Sequence, residues 1–111
     1  MEKLEKYRNF VEKVIVKYAQ FKPSNGNIEV QEVLDRERDR YLLLNVGWDN
    51  KHRVQRCVLQ IDIKNGKIWV QQDSTEIGIA NEFIEMGVPK EDIVLAFYSP
   101  YRRQYTDFAV S

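Results

Sequence analysis

A single cysteine and a single histidine stand among the 111 residues, so the chain lacks the raw material for several kinds of chemistry. A structural zinc site draws on clustered Cys and His ligands, and Cys57 with His52 cannot assemble one. A lone cysteine also forbids an internal disulfide, and the opening residues Met1 to Lys6 hold no apolar signal-peptide core, so a cytoplasmic protein is expected. Charge of one sign is lacking too: seventeen Lys and Arg balance seventeen Asp and Glu. The sequence pI near 6.6 lies far from the value above about 9 that marks a nucleic-acid footprint, so strong nonspecific DNA binding by the monomer is not expected. No apolar run approaches the roughly 18 residues of a membrane-spanning helix. The five glycines are scattered, with no phosphate-cradling loop among them, and no cofactor is expected.

What is present reads as one domain of the α+β class. Leu4, Tyr7, Val11, Val14 and Tyr18 recur at steps of three and four, which predicts a helix over residues 2–20 with Lys and Glu opposite. Pro23 and the turn formers Ser24-Asn25-Gly26-Asn27 stop it near Lys22. From Ile28 to Asp73 the apolar period falls to two, which predicts a four-stranded antiparallel β-meander. Asn65-Gly66 suits a two-residue type I′ turn, and that turn sets Lys64 opposite Lys67, Ile63 opposite Ile68 and Ile61 opposite Val70. A second turn at Asp49-Asn50 or Asn50-Lys51 would then place Leu42, Leu44, Val46 and Trp48 on the same face as Cys57, Leu59, Ile61 and Ile63. Tyr41, Leu43, Val54, Val58 and Trp69 would share the outer face, which is more apolar than one meeting only water. Either the C-terminal segment or a second copy of the chain would cover it.

Asp73-Ser74-Thr75-Glu76 supplies N-cap candidates for a second helix that would bury Ile77, Ala80, Phe83 and Ile84 and end at Gly87. Pro89 to Asp92 makes one more turn, and Ile93 to Phe97 a short C-terminal strand before the tail. The alternating run Asp35-Arg36-Glu37-Arg38-Asp39-Arg40 neutralises itself and is expected as a solvated hairpin end.

No catalytic centre emerges. His52 sits in a predicted hairpin tip between Lys51 and Arg53, remote from any nucleophile, and Cys57 alternates onto the core face as a small apolar group. The acidic-x-Lys fragments Asp49-Asn50-Lys51 and Asp62-Ile63-Lys64 are the only trace of a Mg²⁺-dependent nuclease, and ordinary surface charge is the better explanation of both. The tail from Tyr98 to Phe108 interleaves aromatic rings with two arginines, residue types enriched at binding hot spots and able to stack on bases. Either its rings fold back over the sheet and leave the arginines solvated, or it contacts a partner protein or nucleic acid. The candidate partner-binding set is Tyr101, Arg102, Arg103, Tyr105 and Phe108 in the tail, with Trp69, Leu43 and Val58 on the sheet.

Several segments resemble the XisI proteins, controlling factors for excision of the fdxN element. They are Asn45-Val46-Gly47-Trp48, Asp62-Ile63 and Ile68-Trp69-Val70-Gln71, Gly78-Ile79-Ala80, Gly87-Val88-Pro89-Lys90-Glu91-Asp92-Ile93-Val94-Leu95, and Tyr105-Thr106-Asp107-Phe108-Ala109. They extend over nearly the whole chain, so residues 1–111 read as one XisI-like domain. Ala96 departs from the pattern, since many relatives are expected to carry glycine there. The resemblance implies a noncatalytic cyanobacterial accessory factor, acting with a companion called XisH when a site-specific recombinase removes a DNA element. It supplies no catalytic residue. The expectation is a homo-oligomer, most simply a dimer, that associates with an XisH-like protein; a DNA-binding dimer that gathers Arg102 and Arg103 is the alternative.

Overall fold

The computed structural model describes residues 2–21 and 26–111, so Lys22, Pro23, Ser24 and Asn25 of the expected loop lie outside it. The first helix, α1, runs from Glu2 to Ala19 and buries Tyr7, Val11, Val14 and Ile15, the side that the three-and-four spacing marks out. Four strands follow, β1 (Asn27–Asp35), β2 (Arg40–Asp49), β3 (His52–Lys64) and β4 (Lys67–Asp73). They pair in chain order as an antiparallel meander, and a short strand β5 (Ile93–Leu95) adds in parallel to β4, making five strands in one sheet. Between β4 and β5 the chain crosses over through helix α2 (Ile79–Glu85), and a four-residue helix α3 (Pro100–Arg103) lies in the tail. The fold is α+β, and the short C-terminal strand belongs to the same sheet as the meander.

The Asn65-Gly66 turn holds as expected: both residues have positive φ, 53° and 73°, and the pairs Lys64–Lys67, Ile63–Ile68 and Ile61–Val70 all form. The β2–β3 turn is Asn50-Lys51, with Asp49 opposite His52. Regular pairing then fails partway up the hairpin. Leu44 pairs with Cys57 but Leu43 pairs with Leu59, so Val58 is an extra residue in β3, a β-bulge that inverts the alternation beyond it. The faces expected from an unbroken register are therefore exchanged. Tyr41 and Leu43 belong to the core at 0% and 2% exposure, while Leu42, Leu44, Val46, Trp48 and Cys57 turn to the opposite face. A further irregularity leaves Gln71 unpaired in β4. Gly47 marks a close approach, because a Cβ there would stand 2.1 Å from the carbonyl oxygen of Asn27 in the neighbouring strand.

One face of the sheet carries α1, α2 and the core, in which Leu59, Ile61, Ile68, Val70, Ile79 and Phe83 are fully buried. The start of α2 corrects the expected capping box. Its first residue is Ile79, and the preceding Gly78 has φ 89°, which a side chain would resist. Asp73 still serves the helix from a distance: its carboxylate accepts the backbone N–H of Thr75 and of Ile79, each at 2.9 Å. That loop pushes Ile77 into solvent at 77% exposure, and Ile79 takes the buried place expected for it. The end of α2 follows expectation. Gly87 has φ 103°, its N–H bonds the Ile84 carbonyl, and the Val88 N–H bonds the Phe83 carbonyl, with Val88 and Phe83 both buried. This is a Schellman motif with its apolar contact.

Polar clamps fix α1 to the rest. The charged hairpin end between β1 and β2 is not merely solvated: Arg8 grips Asp39 through two bonds of 2.7 and 3.1 Å, and Arg36 reaches Glu5 at 2.5 Å. At the opposite margin of the sheet, just before β5, Tyr7 donates to Asp92 at 2.5 Å and Lys3 lies 2.9 Å from the same carboxylate. Tyr18 and Lys17 both bond Glu82 of α2.

Candidate interaction surface

The face turned away from the helices is built by strict alternation outside the bulge. Opposed residues of an antiparallel pair lie on one side of the sheet, so the register groups Val33 with Leu42, Leu44 with Cys57, and Trp48 with Arg53. Leu42, Leu44, Val46 and Cys57 are half-buried by their neighbours alone, while Val33 and Trp48 are 39% and 51% exposed. Arg53 lies 5.4 Å from the Trp48 ring, its cation over the aromatic face. Burial raises the Cys57 thiol above its ordinary pKa, so it stays protonated and unreactive near neutrality.

The tail covers only the far end of this face. Ala109 bridges Val94 in β5, and Val94 is fully buried although it stands apart from the main core. Arg103 holds the tail in place. Its guanidinium donates to the carbonyls of Tyr98 at 2.9 Å, Ala96 at 3.2 Å and Val110 at 3.4 Å, and lies 5.7 Å from the Trp69 ring. Lys64 flanks the same ring at 4.2 Å. Ala96 fits without a positive φ, so the glycine expected in relatives is not required by this backbone.

The candidate partner-binding residues thus fall into separate groups. Tyr101 and Tyr105 are 69% and 71% exposed, edge to face at 5.5 Å with their hydroxyls 3.1 Å apart. Arg102 is exposed over Tyr98, whereas Arg103 is spent on the carbonyls and Phe108 packs against the core. Trp69 is half-buried beneath Arg103. Leu43 and Val58 do not share a surface with it, because the bulge directs both to the helix side. There they line a cleft of about 540 Å³ between the end of α1 and the segment 74–77. The outer face of the β1–β3 half is instead made by Val33, Leu44, Val46 and Trp48. Alternation across an assumed regular hairpin missed these four; a surplus residue between the two turns would have found them.

Metal chemistry gains no footing at the acidic residues singled out. Asp49 and Asp62 pair with His52 and Arg40 at opposite ends of one ladder, about 30 Å apart at 3.3 Å per residue. Asp62 instead accepts from Gln71 at 3.2 Å. No three His, Cys, Asp or Glu side chains cluster as metal ligands among the described residues. No described helix is long and apolar enough to cross a membrane.

The family model of the XisI protein matches residues 1–110. Two solved structures from Anabaena variabilis ATCC 29413 share the fold. A XisI-like protein is 49% identical with a TM-score of 0.92, over 97% of this chain and 99% of that one. The fdxN element excision controlling factor XisI is 40% identical with a TM-score of 0.88, over 98% and 99%. Among curated proteins none matches.

Proposed function

The chain belongs to the XisI family, and on that premise we propose that it is a noncatalytic controlling factor for excision of a DNA element, acting by protein association. One observation carries this reading: the helix-free face presents Val33, Leu44, Val46 and Trp48 with no described element over them. Apolar patches of this kind mark interfaces, and Trp48 beside Arg53 at its turn end is the composition of a hot spot. The partners are a second copy of the chain and a companion of the XisH kind. Excision control comes to this chain from the relative that is so described, at 40% identity. DNA contact by paired Arg102 and Arg103 is less favoured, because Arg103 is already occupied by three carbonyls.

Co-expression with an XisH-like protein, followed by size-exclusion chromatography, tests the reading. A complex is expected with the starting protein, lost with Leu44→Lys or Trp48→Ala and kept with Arg102→Ala. Elution of the two proteins apart, or a complex indifferent to all three changes, would refute it.

A further inference from the structure

Strand β1 is the margin of the sheet, hydrogen-bonded to β2 on one side and to no other described strand. Nine unbroken pairs with β2 keep it straight, and between Asn27 and Asp35 it has no proline, no lysine and no bulge. Proline, lysine and bulges commonly blunt an edge, and without them only the carboxylates Glu29, Glu32 and Asp35 stand against another strand. Val33 and Leu34 add exposed apolar surface on its two faces, each 39% accessible.

Gln31 is the centre of β1, four residues from either end. In antiparallel pairing across a twofold axis perpendicular to the sheet, paired residues keep the same face, so the axis must pass at a residue. Centred on Gln31, Ile28 meets Leu34, Val30 meets Glu32, Glu29 meets Val33 and Asn27 meets Asp35. No carboxylate then faces another: Glu29 meets Val33, Glu32 meets Val30, and Asp35, held by Arg38, meets the amide of Asn27. Centring on Glu29 or Glu32 would set identical carboxylates directly opposite, which is destabilising. Centring on Val30 or Val33 would shorten the paired stretch from nine residues to seven or five. The helices allow the arrangement: α1 lies across β1, β2 and β3. Helices centred over β2 of each copy would stand three strand spacings apart, about 14 Å, outside the 8–10 Å of packed helices.

We infer that β1 pairs antiparallel with β1 of a second copy, Gln31 opposite Gln31, joining two sheets into one of ten strands. The contact deepens the self-association in the reading above and rests on it. It also continues the apolar helix-free face across the twofold axis, doubling the surface offered to a companion. Glu32 of the two copies come diagonal at about 7–8 Å, so the dimer should tighten with added salt.

Gln31→Cys supplies the test, because opposed Cα atoms at about 4.5–5.5 Å lie within disulfide reach. Under a mild oxidant this variant should form a covalent dimer. Val33→Cys should not, since its two copies sit about 13 Å apart along the strand. In sedimentation velocity, Leu34→Lys should weaken the dimer at least about tenfold. Glu32→Gln should tighten it, whereas pairing of β1 with a basic strand of some other protein would be weakened by that change. A chain that stays monomeric at every concentration would overturn both self-association and this contact. A dimer in which Gln31→Cys cross-links no faster than Val33→Cys would overturn the β1 register alone.

Discussion

Arg102 and Arg103 are adjacent in sequence and opposite in circumstance. Arg103 closes three carbonyls from two different turns of the tail, one of them on Ala96 just after β5. Arg102 stacks on Tyr98 at the surface. Charge-assisted bonds from a half-buried guanidinium contribute roughly 1.5–3 kcal/mol when they leave partners unsatisfied, so Arg103→Ala should lower unfolding stability by about 2 kcal/mol. Arg102→Ala should cost less than about 1 kcal/mol, the scale of an exposed cation–π contact. Urea titration of the two variants checks the contrast, and equal losses would contradict it. Composition marked the pair as noteworthy and could not separate them, because which arginine turns inward depends on how a four-residue helix sets its side chains toward the carbonyls of Ala96, Tyr98 and Val110. Val58 poses the same difficulty within β3. Nothing about a valine in a run of strand formers says that it is surplus, so the alternation passed through it unbroken and assigned Leu43 and Leu44 to each other's faces.

At the scale of elements, legibility followed the strength of local chemistry. The Asn65-Gly66 turn, the helical spacing of α1 and the Gly87 terminus of α2 are decided within a few residues, and all three stand where the sequence puts them. The docking of α1 is not local and was missed. Its adjacent residues Arg8 and Tyr7 bond carboxylates 31 and 85 residues distant, Asp39 and Asp92. Burial alone would raise the Asp92 carboxyl, but the bonds from Tyr7 and Lys3 outweigh it and hold the group below its ordinary value. A depressed native pKa means that the contribution is complete above the unfolded value of about 3.9 and is lost as pH falls through the native one. Tyr18 acts at the alkaline limit: burial first, and then its bond to Glu82, raises it to about 12, so its contribution is complete below pH 10 and fades as pH climbs toward 12. Stability should therefore be level between these limits and fall on both sides. Asp92→Asn should flatten the acid limb specifically, which thermal melts between pH 2 and 5 would show; an unchanged limb would remove Asp92 from the account.

For the whole molecule, the class of fold was readable because an amphipathic helix, a run of period-two strands and a second helix admit few arrangements. The membership of β5 in the sheet was not, since a three-residue strand carries no periodicity of its own and gains its place only through pairing with Ile68, Trp69 and Val70. That late addition governs how the protein comes into being. Strands β1 to β4 can zip together from near neighbours, but the margin of β4 waits until the polypeptide has travelled out through α2 and back. A ribosome that stalls near Val88 would release a product sticky along both borders, prone to stack into fibres. Light scattering from a polypeptide ended at Val88 should rise within its first hour in dilute buffer, and its clarity there would show that the final stretch is dispensable as a chaperone for what precedes it.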